Sequence, residues 1–340
     1  MAGGGAHGWL RRVWYEGAAT GAWLAPLGWS YRAAASTRRA LYASGMLPSY
    51  APAVPVIVVG NLTVGGTGKT PVVIWLTEQL ARRGFRPGIV SRGYGGTVAG
   101  PALVTPAMTS AEVGDEPLLL AARTRRSVAV ARDRVAGARL LADCGVDVVI
   151  ADDGLQHYRL RRNCEIVVID GERRFGNGRH LPAGPLRESP ARLESVDAVV
   201  TNGGIPAVGE LPMRLVEEGA RALLDGEERP LQAFAGQTVH AVAGIGNPQR
   251  FFAALRRAGM HPIEHAFADH HPYRLQELAF GDAWPVLMTE KDAVRCRSFA
   301  RSGWWAVPVS ARFEDRVAES LMATVLARIA GSTGHKSPGF

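Results

Sequence analysis

The residues best suited to phosphate chemistry lie in one short glycine-rich loop. It follows a β-branched run at residues 54–59, precedes Pro71, and reads Gly65-Gly66-Thr67-Gly68-Lys69-Thr70. The main-chain N–H groups of such a loop, together with the positive end of the following helix dipole, attract an anion. In this pattern Lys69 reaches the β- and γ-phosphates of a nucleotide, and the Thr70 hydroxyl holds Mg²⁺. The spacing therefore predicts a strand, a phosphate-binding loop and a helix in succession.

The loop departs from the usual phosphate-loop pattern at one position, where this chain has Thr63 instead of glycine. A glycine-rich turn without a ligand is therefore an alternative. A lysine and a threonine placed between a buried strand and a helix favour a nucleotide site. We predict that Thr63 and residues 65–70 bind ATP.

Two adjacent carboxylates, Asp152 and Asp153, follow a second apolar run at residues 146–151. In phosphate-transfer sites, a carboxylate at the end of a buried strand holds Mg²⁺ directly or through water. A simple Asp-Gly turn is the alternative. We predict a metal site formed by Thr70, Asp152 and Asp153.

Two further groups have side chains suited to acid–base chemistry. Asp115 and Glu116 stand at the start of an apolar helix, where a carboxylate can also serve only as a cap. His270 and His271 follow Asp269, but adjacent histidine side chains diverge and no third metal ligand is obvious. This favours one histidine as a general base or as the residue that orients the base, with a structural loop histidine as the alternative.

The segments between these groups alternate between strand-like and helix-like patterns. This alternation predicts an α/β fold with a P-loop-type, doubly wound parallel sheet. A strand-like run at Thr238–Gly244 begins a second, smaller α/β unit. We predict an interfacial helical segment at 1–50, a phosphate-loop domain at 51–232, a C-terminal α/β domain at 233–330 and a disordered tail at 331–340.

Composition narrows the class of protein and its partners. The chain has 340 residues, with 47% hydrophobic and 21% charged residues, which is typical of a globular protein and not of a disordered one. Its three cysteines form no CxxC pair, which favours a reducing compartment. The net charge of +8 comes almost entirely from arginine, which favours an acidic partner. Charge alone does not choose between nucleic acid, anionic lipid and a phosphorylated substrate.

Residues 8–50 combine tryptophan and arginine in an unusual way. Four of the eight tryptophans lie here, at Trp9, Trp14, Trp23 and Trp29, and arginines flank them. The uncharged run at 17–31 is shorter than the roughly 20 residues that span a bilayer. Aromatic and basic residues at helical spacing suit the membrane interface. The alternative is that these helices pack on the main domain.

Taken in order, the motifs resemble those of the tetraacyldisaccharide 4′-kinase family over roughly residues 8–325. They comprise Gly60-Asn61 with the glycine-rich loop, Ser91-Arg92-Gly93-Tyr94-Gly95-Gly96, Gly114-Asp115-Glu116-Pro117, Asp152-Asp153-Gly154-Leu155-Gln156-His157, Pro182-Ala183-Gly184-Pro185-Leu186-Arg187-Glu188, Asp269-His270-His271 and Thr289-Glu290-Lys291-Asp292. The whole set is specific, although the phosphate loop alone is not. The resemblance also accounts for Thr63, because this family's loop commonly lacks the first glycine.

The resemblance implies transfer of the ATP γ-phosphoryl group to the 4′-hydroxyl of a tetraacylated glucosamine disaccharide 1-phosphate in lipid A biosynthesis. It implies a peripheral enzyme on the cytoplasmic face of the inner membrane, using ATP and Mg²⁺. The expected partners are the glycolipid and the membrane surface, with no nucleic acid, and the expected state is a monomer.

The resemblance also implies roles for individual residues. Asp115 corresponds to the catalytic base, paired with His270, and Lys69 and Arg134 belong to the catalytic group. Asp153 and Thr70 serve Mg²⁺, with Asp152 nearby. The implied substrate-binding residues are Asn61, Arg92, Tyr94, Glu116, Gln156, His157, Arg187 and Glu188.

Two other classes of protein would also use the phosphate loop. A membrane-associated P-loop ATPase that switches a protein partner would hydrolyse ATP without a glycolipid. A non-catalytic regulator would bind nucleotide without turnover. Neither explains why Asp115, the loop at 182–188 and the Asp-His cluster occur together.

Overall fold

The computed structural model describes residues 6–16 and 23–331, which form two β-sheets with flanking helices. In chain order the elements are α1 (Ala6–Tyr15), α2 (Ala25–Ala43), β1 (Val56–Gly60), α3 (Lys69–Arg82), β2 (Pro87–Ser91), β3 (Ala102–Leu103), α4 (Ser110–Val113), α5 (Asp115–Thr124), β4 (Val128–Val130), α6 (Arg134–Asp143), β5 (Val148–Asp152), β6 (Cys164–Asp170), β7 (Ala198–Asn202), β8 (Leu211–Glu217), β9 (Ala220–Ala222), β10 (Glu228–Arg229), β11 (Thr238–Ala243), α7 (Pro248–Arg257), β12 (His261–Ala266), β13 (Val286–Thr289), α8 (Glu290–Cys296), β14 (Trp304–Val307), β15 (Val309–Arg312) and α9 (Asp315–Ala330).

The larger sheet has nine strands in the order β15-β8-β7-β6-β1-β5-β2-β4-β3. Its seven central strands, from β8 to β4, are parallel, and the two edge strands are antiparallel to their neighbours. The central strand β1 lies between β5 and β6. The carboxyl ends of these strands therefore meet at one edge, which is where ligands bind in such folds. The predicted doubly wound parallel sheet is confirmed.

Both faces of this sheet are covered, which explains the continuous β-branched run in β1. Side chains alternate between faces along a strand. Ile57 and Val59 pack with α3 and α9, whereas Val56 and Val58 pack with α6. All four side chains are fully buried. The strand is therefore held firmly on both faces, and the loop that follows starts from a fixed point.

The smaller sheet has six strands in the order β10-β9-β14-β13-β11-β12. The sheets divide the chain differently from the predicted domains at 51–232 and 233–330. Strands β9 and β10 precede residue 233 but pair in the smaller sheet. Strand β15 returns to pair with β8, and α9 packs on the larger sheet. The chain thus crosses twice between the sheets, after β8 and again after β14.

The amino-terminal helices combine packed and exposed surfaces. The Trp14 indole N–H donates to the Pro182 carbonyl at 3.0 Å, and Val13 and Leu24 are buried. Trp23 and Trp29 are about two-thirds exposed. Across residues 6–16 and 23–331, no helix has the length and apolar character needed to cross a membrane. Part of the uncharged run at 17–31, and the predicted tail beyond residue 331, lie outside the described residues.

Candidate active site

The glycine-rich loop leaves β1 and ends where α3 begins. Gly68 caps the helix with a φ of 99°, in the left-handed region that favours glycine. A Cβ atom at Gly68 would lie 2.9 Å from the Asn202 side-chain nitrogen, which donates to the Thr67 carbonyl at 3.1 Å. By contrast, a Cβ atom at Gly65 or Gly66 would have no neighbour within 4 Å. The loop is therefore fixed at its helical end and open in the middle.

The non-glycine position of the loop pairs with a later segment of the chain. Thr63 is buried and forms an isolated antiparallel bridge with Leu186 in the loop at 182–188. Asn61 donates its side-chain N–H to the Gly65 carbonyl at 3.3 Å. Within the described part of the chain, the buried Asn61 Oδ1 and Thr67 Oγ1 have no hydrogen-bond partner. A buried polar atom left unpaired costs about 1–3 kcal/mol, so these two atoms fit a loop built around a ligand.

Strand β5 brings the predicted metal residues beside this loop. Asp153 has a φ of 49° and turns its carboxylate toward Lys69, whose Nζ lies 3.5 Å from Asp153 Oδ1. The Arg187 guanidinium contacts the same carboxylate at 3.1 and 3.2 Å. Burial raises the pKa of Asp153, but Lys69 and then Arg187 outweigh burial and lower the pKa to about 2. Asp153 is therefore a carboxylate at neutral pH.

Asp152 behaves differently because it is buried among other acids. Burial, followed by the negative charges of Glu116 and Asp153, raises the pKa of Asp152 to about 7. Arg134, also buried, donates to the Asp152 carbonyl at 3.0 Å and to the Ala131 carbonyl at 2.8 Å. Burial lowers the pKa of Arg134 to about 10, which still leaves the guanidinium charged at neutral pH.

The donor set at this edge fits Mg²⁺. Thr70, Asp152 and Asp153 supply hydroxyl and carboxylate oxygens, which are the ligands that this ion prefers. Among residues 6–16 and 23–331, no three His, Cys, Asp or Glu side chains form a group that could hold a metal ion. Mg²⁺ commonly binds through one or two carboxylates with waters and substrate phosphates, so a full protein cage is not required.

Asp115 is the first residue of α5 and follows Gly114, which has a φ of 84°. A Cβ atom at Gly114 would lie 2.6 Å from the Tyr94 carbonyl oxygen, so the segment needs glycine there. The His270 Nδ1 atom lies 2.9 Å from Asp115 Oδ2, and the Arg295 guanidinium donates to the same oxygen. Burial raises the pKa of Asp115, but Arg295 and then His270 outweigh burial and hold the pKa below its ordinary value.

Arg295 is held in turn by Asp292, one helical turn earlier on α8. Its guanidinium donates to Asp292 Oδ1 at 3.1 Å. The fully buried Asp292 carboxylate also accepts hydrogen bonds from the Gly244 N–H at 3.0 Å and the Tyr273 hydroxyl at 3.0 Å. The network fixes Arg295 beside Asp115. The sequence motifs include Asp292 but not Arg295. A basic residue three positions after an acid on a helix indicates their pairing, but not the contact of Arg295 with Asp115.

Glu116 connects the two groups of charged residues. Its carboxylate lies 2.7 Å from the Lys291 ammonium on α8. Burial raises the pKa of Glu116, but Lys291 and then Lys69 lower it below its ordinary value. Glu116 is thus near enough to Lys69 to respond to its charge. Helices α3 and α5, which begin at Lys69 and Asp115, also pack against each other, and α8 packs against α5. The phosphate loop and the Asp115 group therefore belong to one site, between the two sheets.

The other predicted site residues lie in three places: Gln156 lies with Glu188, Tyr94 lies beside His270, and Arg92 and His157 lie toward Arg134. Glu188 accepts hydrogen bonds from Gln156 at 2.7 Å and from the Tyr158 hydroxyl at 2.5 Å. Gln156 also contacts the Asn61 carbonyl at 3.4 Å. The Tyr94 ring is exposed and its centroid lies 5.5 Å from that of His270.

Arg92 and His157 lie toward the Arg134 side of the site. Arg92 is exposed, and its charge helps to lower the pKa values of His157 and Arg134. His271 contacts Glu277 at 3.0 Å instead. Of the two adjacent histidines, His270 is therefore the one that contacts Asp115.

A parallel α/β sheet, a phosphate-binding loop after its central strand and a carboxylate pair at the end of the neighbouring strand define a P-loop nucleotide-binding protein. The model of the family described as tetraacyldisaccharide-1-P 4′-kinase matches residues 20–327. The chain belongs to this family, which confirms the resemblance.

Known relatives agree with this assignment. The chain is 50% identical over 318 residues to tetraacyldisaccharide 4′-kinase of Methylobacillus flagellatus, covering 93% of this chain and 95% of that protein. It is also 50% identical over 317 residues to the protein of that name from Aeromonas hydrophila, covering 92% and 95%. A crystal structure of "apo" form LpxK from Aquifex aeolicus in complex with ATP superimposes with a TM-score of 0.78 at 29% identity, covering 91% of this chain and 99% of that one.

Proposed function

We propose that this chain transfers the γ-phosphoryl group of ATP to the 4′-hydroxyl of a tetraacylated glucosamine disaccharide 1-phosphate, a step of lipid A biosynthesis. Family membership supports the reaction. One structural observation carries the assignment to this site: the Asp115 carboxylate, ionised and oriented by His270 and Arg295, shares a site with the phosphate loop. ATP and the acceptor hydroxyl are the reactants for which this pairing is suited.

Phosphoryl transfer depends on positioning and on neutralising charge more than on covalent chemistry by the protein. The N–H groups of residues 65–70 and the Lys69 ammonium would hold the phosphates, and Arg187 and Arg134 add positive charge at the same edge. Bound Mg²⁺, held by Thr70, Asp153 and Asp152, would neutralise phosphate charge. Asp115 would accept the proton of the sugar hydroxyl, with His270 fixing its orientation.

The proposed setting is the cytoplasmic face of the inner membrane, where the chain would bind peripherally as a monomer. An acceptor with four acyl chains lies in a lipid phase, so the mouth of the site must approach the membrane. The exposed side chains of Trp23, Leu27 and Trp29 at the amino-terminal helices support this placement.

The alternative of a P-loop ATPase that switches a protein partner is not favoured. It would use the phosphate loop and the carboxylates at the end of β5. It gives no role to Asp115. This carboxylate contacts both His270 and Arg295, whereas a helix cap needs neither partner. ATP turnover that depends on the glycolipid separates the two functions.

We expect Asp115→Ala to lower kcat by about 10²- to 10⁴-fold, because a general base of this kind contributes a factor of that size. ATP affinity should persist, since Asp115 is not part of the phosphate loop. The assay is transfer of radiolabelled γ-phosphate from ATP to the disaccharide lipid, with nucleotide affinity measured separately. His271→Ala is the control, because His271 contacts Glu277 and not Asp115. A near-normal kcat for Asp115→Ala would remove this carboxylate from the mechanism.

A further inference from the structure

One buried carboxylate of the larger sheet connects two loops that line the site. Glu165 is the second residue of β6 and lies in register with Val58 of β1, next to the centre of the sheet. One of its oxygens accepts from Arg162 at 2.8 Å, and the other accepts from Arg192. The two arginine side chains are only 11% and 5% exposed, so water and salt screen these ion pairs little.

Arg162 connects this carboxylate to the loop that follows β5. Its guanidinium donates to the Leu155 carbonyl at 3.1 Å and to the His157 carbonyl at 2.6 Å. Gln156 lies between these two carbonyls, and its side chain contacts the Asn61 carbonyl just before the phosphate loop. Arg162 therefore holds the main chain on both sides of a predicted site residue.

Arg192 connects the same carboxylate to the loop at 182–188. It lies on the 3₁₀ helix after this loop, and its Nε atom is 3.6 Å from Glu188 Oε2. Glu188 also accepts from Gln156 and from the Tyr158 hydroxyl, both of which belong to the loop after β5. Burial, followed by the negative charge of Glu188, raises the pKa of Tyr158, so its hydroxyl keeps the proton that it donates.

The same two loops also meet inside the site. Arg187, which precedes Glu188, donates to the two oxygens of Asp153 at 3.2 and 3.1 Å. Asp153 begins the loop whose main chain Arg162 holds. The two loops are therefore joined twice, by Glu165 through its arginines and by Arg187 through Asp153.

We propose that Glu165 is a positioning residue for phosphoryl transfer. By holding one arginine with each oxygen, it fixes the two loops that place Gln156 and Arg187 beside the phosphate loop. The inference rests on the proposed function, in which Arg187 adds positive charge where the phosphates bind. A displacement of about 1 Å in a positioning group can cost about 10²-fold in rate, so a carboxylate outside the site can control catalysis.

The test is Glu165→Gln, which keeps the size of the side chain. A carboxylate accepts from both arginines, whereas an amide has one accepting oxygen and an –NH₂ group that only donates. The amide can therefore hold one arginine only, and one loop is released. Glu165→Asp keeps both oxygens on a shorter side chain. Glu210→Gln is the matched control, because it removes an acceptor of two hydrogen bonds from Arg174, at 2.7 and 2.8 Å, outside both loops.

We expect Glu165→Gln to lower kcat about 10- to 100-fold in the transfer of radiolabelled γ-phosphate to the disaccharide lipid. KM for ATP should stay within about threefold, because the phosphate loop keeps its contact with Asn202. Glu165→Asp should recover part of the loss, and Glu210→Gln should keep kcat within about threefold of wild type. Each rate is measured below the melting temperature of the variant.

A double-mutant cycle separates positioning from general destabilisation. In the Arg187→Ala background, we expect Glu165→Gln to lower kcat no more than about threefold, because the group that Glu165 positions has already been removed. Tyr158→Phe provides the same test should Glu165→Gln not fold. It removes one donor to Glu188 but keeps the ring, 5.2 Å from the Arg162 guanidinium. Its expected loss of about three- to tenfold in kcat should likewise disappear with Arg187→Ala.

A wild-type kcat in Glu165→Gln, or losses that multiply in full with Arg187→Ala, would overturn the inference. Equal losses in Glu165→Gln and Glu210→Gln would also overturn it, by assigning the effect to stability. Failure of the wild-type protein to phosphorylate the lipid would instead refute the proposed function. A crystal structure of Glu165→Gln then tests the positioning alone: we expect a longer separation of Arg187 from Asp153, and an unchanged separation would contradict it.

Discussion

Asp115 lies on α5, a helix that packs on the larger sheet, but its two side-chain partners lie in segments that surround the smaller sheet. His270 lies in the loop after β12, and Arg295 lies on α8, which packs against α5. The orientation of this carboxylate therefore depends on the alignment of the two sheets. An approaching hydroxyl would meet a correctly placed base only when both parts of the chain are in position.

The residues of this group differ in how far the sequence could predict them. Asp115 and His270 were predicted from their motifs, and the geometry brings them together. Arg295 is 180 residues from Asp115 along the chain, and no local pattern reports a contact over that separation. The choice of His270 over His271 depends on backbone direction, because His270 has a φ of 62° that composition does not reveal.

Replacing Arg295 tests how the charge state of Asp115 is maintained. In Arg295→Met, burial is opposed by His270 alone, so we expect the pKa of Asp115 to rise above its wild-type value. Carbon-13 NMR of the Asp115 carboxyl, assigned with Asp115→Asn, measures this directly. We also expect a loss of about 3–5 kcal/mol in the free energy of unfolding, because two buried carboxylates lose their cation.

The direction of the pH effect follows from the lowered pKa. In the wild type, ionised Asp115 stabilises the fold at pH values above about 4, where the unfolded carboxyl is also ionised. This contribution is lost as the pH falls through the folded-state pKa. Arg295→Lys keeps the positive charge beside Asp115, so this variant should preserve most of the lowering of the Asp115 pKa. An unchanged pKa of Asp115 in a folded Arg295→Met protein would show that Arg295 does not set the ionisation.

At the scale of single elements, the phosphate loop was predictable because its chemistry is local. A β-branched strand, glycines and a proline at the start of a helix gave its position from spacing alone. Its supports were not predictable in this way. Asn202 at the end of β7 and Leu186 in a later loop reach it from distant parts of the chain. Spacing predicts what a loop can bind, whereas nonlocal contacts fix its shape.

Two glycines of the loop provide a matched pair of substitutions. Gly68→Ala places a Cβ atom 2.9 Å from the Asn202 amide at a φ of 99°, whereas a Cβ atom at Gly66 has open space. We expect Gly68→Ala to lower the free energy of unfolding by about 1 kcal/mol or more and to weaken ATP binding. Gly66→Ala should unfold as the wild type does. Equal stability of the two variants in urea titrations would contradict this description of the loop.

At the scale of the whole molecule, the fold class followed from the sequence but the allocation of strands did not. Alternating strand and helix patterns predict a parallel sheet, because crossover connections require them. Strand β15 and helix α9 return to the larger sheet after all six strands of the smaller one in chain order. Domains that are continuous in the chain cannot describe this return. Short strands such as β9 and β10 also give no indication in the sequence of which strands they pair with.

The proposed membrane association should depend on the exposed side chains of Trp23 and Trp29. The double variant Trp23→Ser/Trp29→Ser should weaken partition into vesicles by at least about tenfold, because two large apolar side chains no longer enter the interface. Cosedimentation with vesicles measures this partition. Trp284→Ser is the control, since Trp284 is 47% exposed but belongs to the segment before β13. An unchanged partition of the double variant would favour simple packing of these helices.

The central claim is that the segment from Asn61 to Thr70 binds the triphosphate of ATP while Asp115 faces the γ-phosphate that is transferred. The most direct measurement is a crystal structure of the protein with a non-hydrolysable ATP analogue and Mg²⁺. We expect the phosphates to contact the N–H groups of residues 65–70 and Lys69, with the terminal phosphate on the side facing Asp115. An empty loop, with the analogue bound in another cleft, would contradict the account.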